Sequence, residues 1–442
     1  MDEENEMLES LGLEEVEELF RDVPSEVRDD IDIDEGKTEM ETKKYVKKIL
    51  SKNQTLDDFS NFLGGGIYRH YVPSAVNEIV GRSEFYTSYT PYQAEISQGM
   101  LQALFEYQSL VCELTGMDAA NTSMYDYPTA FAEGVLMAGR VGRGSEFLVP
   151  ENIHWEKWEV LHNYLRGSDI EIKKVDYDEN TGKIDIDDLQ EKLTDDNLGF
   201  YVESPNVFGV IEDDTSVFED LKTDNKSIMV AGTSPLALTL LEPPSEWGAD
   251  IVVGDSQSLG IPPSFGGPTV GIFACKKRHL RRMPGRMIGE TEDAEGNTAY
   301  CMTLQTREQH IRRERATSNI CTNQSLMALA SACYMFVKGG KGLEEVGKTN
   351  YEKAHKLAEK IDEIDGFSAP YFDSLYFNEF TVETPIDSKE VISKGMKNKV
   401  LAGITIDDKY EKLNPSVLLS ATEMNDEDDI DSLIETFREV VE

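Results

Sequence analysis

The sequence predicts an α/β fold with a mostly parallel sheet and helices on both faces. Its central part contains short apolar runs of strand length, and stretches with helical periodicity separate them. The runs are EFLVP, EIKKVDY, LGFYVES, KSIMVAG, ADIVVGD and VGIFAC. Short apolar strands that alternate with helices are typical of βαβ units, in which helices bury both faces of a parallel sheet.

A chain of 442 residues is longer than one typical hydrophobic core requires. We expect an N-terminal helical segment at 1–63, a large α/β domain at 64–335 and a small α+β domain at 336–442. The first segment is charged and has helical periodicity, as in LEEVEELFRDV. The last one mixes amphipathic helices with the strand candidates YFNEFTVE and AGITI.

Composition excludes several classes of protein. A net charge of −41 would repel the phosphate backbone of nucleic acids. There is no apolar run of about 18 residues, and the acidic N-terminus lacks the apolar core of a signal peptide, so we expect neither a membrane span nor secretion. Five scattered cysteines without a CxxC pair indicate reduced thiols in a cytoplasm, without disulfides or a zinc site.

The acidic excess also suggests a halophilic protein, because such chains carry high net charge. This hypothesis predicts a melting temperature that is higher in molar salt than in dilute buffer. An equal melting temperature in both would contradict it, and would leave a soluble protein that is simply acidic.

The carboxyl ends of parallel strands are the usual ligand sites of such sheets. A helix is expected to begin near Ala130, and Ser123, Tyr125, Asp126 and Thr129 precede it. The N-terminus of this helix is a candidate cradle for a phosphate or carboxylate group. Alternatively, Asp126 or Thr129 only caps the helix.

Two further strand ends carry candidate residues. His154 follows EFLVP, where an imidazole can stack on a planar ring, although a lone histidine can equally be a packed or surface residue. Pro205, Asn206 and Gly209 follow LGFYVES. Asn206 can bond a ligand there, or form a turn that needs no ligand.

The loop from Gly254 to Gly271, GDSQSLGIPPSFGGPTVG, follows the strand ADIVV. These pieces, in this order, resemble fold type I enzymes that use pyridoxal phosphate (PLP), which require a lysine in this loop, an acid one strand earlier and a helix N-terminus for the phosphate. No lysine lies between Lys226 and Lys276, and the preceding strand ends at 230–233 without an acid. The chain is therefore not expected to hold PLP covalently. The residues of the vestigial cofactor pocket would be Ser123, Tyr125, Asp126, Thr129, His154, Asn206, Gln257 and Ser258.

Three longer blocks of sequence narrow the resemblance from fold type I enzymes in general to one family. They are FLGGGIYRHYVPSAV, FYTSYTPYQAEISQGMLQALFEYQSLVCELTGMDAANTSMYD and TREQHIRRERATSNICTNQSLMALASA. In this order they resemble the P protein of the glycine cleavage system, glycine dehydrogenase (decarboxylating), in its two-subunit form. The similarity is to subunit 1, the alpha or N-terminal-half chain, and covers residues 1–442.

This resemblance implies that a paralogous companion, subunit 2, carries the PLP lysine, and that this chain completes the site in trans. Glycine would lose its carboxylate as carbon dioxide, with the PLP ring as electron sink. The aminomethyl group would then pass to the lipoyl arm of the H protein. A paralogous pair suggests an α2β2 assembly. The alternative is a non-catalytic scaffold or regulatory subunit with a vestigial PLP fold.

Polar and aromatic residues of the three blocks are candidates for contacts with substrate or cofactor in trans. In SYTPYQ, a tyrosine hydroxyl can donate to a carboxylate or phosphate while its ring packs; the alternative is core or interface packing. In GGGIYRHY, His70 is a base that titrates near neutral pH, or a loop histidine that only packs. The candidates are Tyr89, Thr90, Tyr92, Gln93, Tyr68, His70, Thr317, Ser318 and Asn319.

The block TREQHIRRERATSN also holds the strongest basic cluster of the chain: Arg307, Arg312, Arg313 and Arg315. Arginine pairs bidentately with carboxylates and phosphates. The spacing places these side chains on no single helical face, so we expect most of them in salt bridges within or between subunits. The family usually reads REKATSN here, with a lysine where this chain has Arg315.

Overall fold

A computed structural model of the chain describes residues 2–29, 33–318, 320 and 323–442. The chain forms two compact units, Met1–Thr55 and Leu56–Glu442. The three-part division expected from the sequence stays a prediction. No helix in the described part of the chain is long and apolar enough to cross a membrane.

Helices and strands alternate along most of the chain. The helices are α1 (Asp2–Leu11), α2 (Glu39–Leu50), α3 (Ser74–Val80), α4 (Ser83–Tyr86), α5 (Gln98–Thr115), α6 (Tyr127–Val141), α7 (Trp155–Leu165), α8 (Ile186–Lys192), α9 (Ser216–Asn225), α10 (Gln309–Arg312), α11 (Ser325–Asp362), α12 (Ser388–Lys397) and α13 (Glu427–Val441). The strands are β1 (Ser60–Asn61), β2 (Ala119–Ala120), β3 (Glu146–Pro150), β4 (Glu171–Val175), β5 (Asn197–Ser204), β6 (Ile228–Thr233), β7 (Ile251–Asp255), β8 (Gly271–Cys275), β9 (Met287–Glu292), β10 (Thr298–Thr303), β11 (Glu379–Glu383), β12 (Val400–Leu401), β13 (Ile404–Thr405) and β14 (Ser416–Ser420).

The first unit contains α1 and α2. Thr38 begins α2 with a capping box, because its hydroxyl accepts from the backbone N–H of Glu41 at 3.3 Å. The Glu41 carboxylate accepts in return from the backbone N–H of Thr38 at 3.0 Å. Two otherwise unpaired donors at the helix start are satisfied in this way.

The second unit is built around a seven-stranded sheet with the order β2-β8-β7-β6-β5-β3-β4. The strands from β4 to β7 are parallel, while β8 runs antiparallel to β7 and β2 antiparallel to β8. All six apolar runs form strands of this sheet. The predicted fold class, a mostly parallel α/β sheet, is confirmed.

Two hydrophobic cores cover the faces of this sheet. The side chains of Phe200 and Val202 belong to the core that also contains residues of α5 and α11. Tyr201, which points to the other face, belongs to the core with α6 and α7. Because both faces are buried, these strands are apolar at successive positions rather than at alternate ones.

The C-terminal part forms a smaller sheet with the order β11-β14-β13, in which neighbours are antiparallel. A separate apolar core joins it to α12, α13 and the second half of α11. The strand candidates YFNEFTVE and AGITI contain β11 and β13. At Gly339 the backbone has a φ of +62°, so α11 is kinked there.

Candidate functional site

A cavity of about 200 Å³ lies at the carboxyl ends of β5, β6 and β7. Glu203, Thr233 and Asp255 line it from these three strand ends. The loop of residues 64–68, the first turns of α6 and α7 and the start of β11 form its other walls. This is the position at which ligands bind in parallel α/β sheets.

A buried ion pair forms one wall of the cavity. Nζ of Lys157, in the first turn of α7, lies 2.5 Å from Oε1 of Glu203. The hydroxyl of Tyr201 donates to the other oxygen of Glu203 at 2.7 Å, and the hydroxyls of Tyr201 and Tyr127 lie 3.1 Å apart. The Lys157 ammonium also lies 3.5 Å from the centre of the Tyr127 ring. Burial lowers the pKa of the Lys157 amine, and the Glu203 charge opposes this shift.

Glu379 at the start of β11 forms the opposite wall. Its Oε1 accepts from the backbone N–H of Gly65 at 2.5 Å, and its Oε2 from the hydroxyl of Tyr68 at 2.9 Å. Burial raises the pKa of Glu379 to about 7. A Cβ atom at Gly64 would collide with this carboxylate, and Gly65 and Gly66 have positive φ angles, which favour glycine.

Carboxylates occupy the N-terminus of α6. Asp126 caps this helix: its Oδ1 accepts from the backbone N–H of Thr129 at 2.8 Å, and the Thr129 hydroxyl accepts from the N–H of Asp126 at 3.2 Å. The capping alternative is therefore the one observed, and the helix begins at Tyr127 rather than near Ala130. Burial raises the pKa of Asp255 to about 7, although its carboxylate accepts hydrogen bonds from backbone N–H groups, including that of Tyr127.

The lysine-free loop after β7 is fixed by Gln257. Its Oε1 accepts from the backbone N–H of Tyr68 at 2.9 Å, and its Nε2 donates to the carbonyls of Tyr68 at 2.9 Å and Ile261 at 2.7 Å. Gln257 thus joins this loop to the glycine-rich segment. The next residue, Ser258, lines the cavity, and its hydroxyl has no hydrogen-bond partner among the described residues. The same is true of the hydroxyl of Thr233.

His154 and Asn206 also line the cavity. The Nδ1 atom of His154 accepts from the backbone N–H of Glu156 at 3.2 Å and so caps α7, and its ring stacks on Trp155 at 3.8 Å. Burial lowers the pKa of His154 to about 3. The Asn206 side chain accepts from the backbone N–H of Phe208 at 3.0 Å, so it forms the turn that was the alternative to a ligand contact.

Of the expected phosphate cradle, Asp126 lines the cavity, whereas Ser123, Tyr125 and Thr129 lie outside its lining. The hydroxyl of Ser123 accepts from the backbone N–H of Gln324 at 3.0 Å, at the start of α11. Tyr125 packs against the core of the α6 face. Of the vestigial-pocket candidates, Asp126, His154, Asn206 and Ser258 line the cavity together.

The segment SYTPYQ lies at the surface, outside the cavity lining. The buried Arg286 donates to the hydroxyl of Thr90 at 3.1 Å and to that of Tyr92 at 2.8 Å. Tyr92 and Gln93 are exposed, and 73% of the surface of Tyr89 is exposed. The segment therefore presents aromatic and polar groups outward from a rigid anchor.

The two candidates in GGGIYRHY lie in different places. Tyr68 lines the cavity, whereas His70 is buried away from its lining and its Nδ1 lies 2.9 Å from Oε2 of Glu423. The other oxygen of Glu423 accepts from the backbone N–H of Tyr71 at 2.8 Å. His70 and Glu423 together hold this loop against the turn before α13.

The residues of TREQHIRRERATSN also lie outside the cavity lining. The carbonyl of Thr317 accepts from Arg140 at 2.7 Å, and the hydroxyl of Ser318 donates to the buried Glu133 at 2.8 Å. Asn319 lies outside the described residues.

Within this chain, two arginines of this block bond mainly to backbone carbonyls. Arg307 donates to the backbone carbonyls of Met283, Gly285 and Leu304, and Arg312 donates to that of Thr306 at 3.1 Å. Arg315 is the member with a described ion pair, at 3.7 Å from Glu314. Arg307 and Arg312 therefore hold neighbouring turns through backbone carbonyls within this chain, and their expected salt bridges between subunits stay a prediction.

Sequence reasoning missed five of the charged residues that line the cavity: Glu156, Lys157, Glu203, Asp255 and Glu379. A lysine does line the cavity, but it comes from α7 and not from the loop after β7. A signal existed for Glu203, since a charged residue near the end of an otherwise apolar strand lies where ligands bind. No local pattern places Glu379 beside Tyr68, because 311 residues separate them.

The sequence model of the glycine cleavage system P-protein matches residues 1–437. A probable glycine dehydrogenase (decarboxylating) subunit 1 of Carboxydothermus hydrogenoformans is 44% identical over 98% of this chain and 97% of its own. The chain belongs to the glycine cleavage system P-protein family. The expected resemblance to subunit 1 is confirmed.

Solved structures agree with the P-protein assignment. A crystal structure of glycine decarboxylase (P-protein) of the glycine cleavage system, in inhibitor-bound form, superposes with a TM-score of 0.91 and 38% identity, over 99% of this chain and 97% of that one. A cysteine desulfurase from Thermococcus onnurineus is 14% identical, has a TM-score of 0.64 and covers 89% of this chain and 98% of its own. The latter shows the fold alone, that of fold type I PLP enzymes.

The cavity of this P-protein chain does not fit PLP. The phosphate of PLP is an anion that binds at a helix N-terminus, but Asp126 and Asp255 already accept the backbone N–H groups at the start of α6. A phosphate there would meet two carboxylates. The one lysine among the described lining residues is already paired with Glu203. We therefore derive no catalytic step through PLP in this cavity.

Proposed function

We propose that this chain is the subunit of a two-subunit glycine dehydrogenase (decarboxylating) that carries no PLP of its own. A PLP-bearing paralogous companion would decarboxylate glycine, and the aminomethyl group would pass to the lipoyl arm of the H protein in an α2β2 assembly. The observation that carries this proposal is the occupation of the α6 N-terminus by Asp126 and Asp255. It leaves no place for the phosphate of PLP in a chain whose relatives are named as subunits of a decarboxylase.

The segment SYTPYQ supports a contribution in trans. Arg286 bonds Thr90 and Tyr92 and thereby fixes the segment before any partner arrives. Pre-organised groups lose less conformational entropy on binding than mobile ones. Aromatic residues and arginine are also the types most enriched in protein interfaces. Tyr89 and Tyr92 would thus face the companion, or the glycine bound there.

The proposal is tested by reconstitution with the companion chain. Purified alone and incubated with PLP, this chain should show no visible absorption band of lysine-bound PLP and no borohydride-trapped lysine. With the companion, the band should form and labelled bicarbonate should exchange into glycine. A lysine of this chain trapped at stoichiometric amounts would overturn the proposal.

Deletion of single tyrosine hydroxyls distinguishes a subunit that contributes to catalysis from one that is only a scaffold. Tyr89→Phe or Tyr92→Phe should lower the exchange rate of the assembled complex by about tenfold, the value of one lost hydrogen bond of about 1.4 kcal/mol. Tyr45→Phe, on the exposed face of α2, is the matched control and should leave the rate unchanged. Full activity of both variants in a stable complex would favour the scaffold instead.

A further inference from the structure

The cavity carries far more negative charge than its own cations neutralise. Its described lining includes carboxylates of five residues: Asp126, Glu156, Glu203, Asp255 and Glu379. Against these stands the ammonium group of Lys157, which Glu203 already engages. His154 adds no charge near neutral pH, because burial lowers its pKa to about 3. Glu156 is exposed and Asp126 caps α6, so the buried carboxylates without a compensating charge are those of Asp255 and Glu379, which either a proton or a cation from outside can neutralise.

The polar groups of the lining also retain unused bonding capacity. Glu379 accepts hydrogen bonds from Gly65 and Tyr68, while a carboxylate can accept about four in all. Thr233 and Ser258 are 2% and 5% exposed, and neither hydroxyl has a partner among the described residues. Native proteins leave few buried hydroxyls unpaired, and an unpaired one in a cavity wall indicates a ligand or ordered water.

The type of cation follows from the geometry. No group of three or more His, Cys, Asp or Glu side chains in the described ranges is arranged to hold a metal ion. A volume of about 200 Å³ exceeds by roughly tenfold the space that one water molecule requires. An ammonium group has three N–H donors, which match carboxylate and hydroxyl acceptors.

We propose that this cavity is a second small-molecule site of the chain, which binds a small organic ammonium ion between Glu379, Asp255 and the hydroxyls of Thr233 and Ser258. The ion pair of Lys157 and Glu203 stays intact. The incoming cation therefore neutralises the carboxylates that have no positively charged partner in the chain. The site does not depend on the companion chain or on PLP, and it can be tested apart from the proposed function.

Protons compete with this ligand. Burial raises the pKa of both Asp255 and Glu379 to about 7, so each carries a proton for part of the time in the absence of a cation. The other titratable groups that face them are Tyr68, Tyr127, Asp126, His154, Glu156, Lys157 and Glu203. A cation that binds the ionised carboxylates must release protons. Its affinity therefore increases from about pH 6 to about pH 8 and levels off above.

Calorimetric titration of the full chain with ethanolammonium, at constant ionic strength and in amine-free buffer, tests the proposal. We expect saturable binding at one site, with proton release seen as a dependence of the heat on the ionisation enthalpy of the buffer. Neutral ethylene glycol and anionic glycolate should not bind. Absence of saturable binding of ethanolammonium, or equal binding of glycolate, would overturn the proposal.

Two variants locate the site. Glu379→Gln keeps an acceptor for Gly65 but removes the charge, and should weaken binding by about tenfold or more. Glu191→Gln is the control: it removes the same charge on the exposed side of α8 and should leave the affinity for the ligand unchanged. Thr233→Val covers the case in which Glu379→Gln fails to fold: it should weaken ligand binding while the ligand-free melting temperature stays equal or rises. Unchanged affinity in a folded Glu379→Gln or Thr233→Val would place the ligand elsewhere and overturn the proposal.

Discussion

Nζ of Lys157 lies 2.5 Å from Oε1 of Glu203, and both residues are about 95% buried, at 4% and 5% exposed. This pair connects the first turn of α7 to the end of β5. Tyr201 donates to the remaining oxygen of Glu203, so the carboxylate is satisfied on both sides. The lysine that lines the cavity is thus held in an ion pair, and removal of either partner would leave a buried charge alone.

The first prediction concerns the stability of this pair. Lys157→Met should lower the free energy of unfolding by about 3–5 kcal/mol, because it leaves Glu203 buried and uncompensated. The double variant Lys157→Met/Glu203→Gln should recover most of this loss. Lys173→Met, which breaks a pair with Glu146 that solvent can reach, is the control and should cost about 1 kcal/mol or less. Urea unfolding monitored by circular dichroism measures all of them, and equal losses for Lys157→Met and Lys173→Met would contradict the prediction.

The sequence allowed the sheet to be predicted, because its strands are buried on both faces and appear as uninterrupted apolar runs. The start of α6 was placed three residues late, at Ala130, although Pro128 is typical of a first helical turn. Glu379 and Arg286 could not be predicted as site residues. Each reaches its partners through tertiary contacts, Arg286 across 194 residues to Tyr92, and no local spacing encodes such a contact.

A second prediction addresses the loop that lacks the lysine. Gln257→Lys should not create a PLP site, because Asp126 and Asp255 still occupy the N-terminus of α6. The variant should also be less stable, since the amide of Gln257 makes three hydrogen bonds, each worth about 1 kcal/mol. Incubation with PLP, borohydride reduction and peptide mass spectrometry measure the outcome.

Ser258→Lys is the matched control, because it places the lysine at a position that lines the cavity, whereas Gln257 does not line it. It should equally fail to hold PLP. Reduced PLP on residue 257 or 258 at a higher occupancy than on exposed lysines would show that the missing lysine, and not the carboxylates, keeps the cofactor away.

The third prediction concerns the anchor of SYTPYQ. Arg286→Lys should weaken the association of this chain with its proposed companion by about tenfold, because a lysine cannot reproduce the two divergent bonds to Thr90 and Tyr92. Sedimentation velocity of the mixed chains measures the affinity. Arg166→Lys, at the exposed end of α7, is the control and should associate normally. An unchanged affinity of the Arg286→Lys variant would show that SYTPYQ does not contribute to the interface.

The last prediction follows from the pKa of Glu379, which burial raises from 4.5 to about 7. Between these values the folded chain binds a proton at Glu379 that the unfolded chain has released, so this carboxyl lowers stability progressively as pH rises. The shift corresponds to about 3 kcal/mol, fully present above about pH 7 and absent below about pH 4. Glu379→Gln cannot ionise and should therefore gain stability relative to the parent as pH increases, with nearly equal values near pH 4. Urea unfolding at several pH values in amine-free buffer measures this difference, with Glu191→Gln as the control. A difference between parent and Glu379→Gln that stays constant from about pH 5 to about pH 8 would mean that Glu379 is ionised in the folded chain throughout that range.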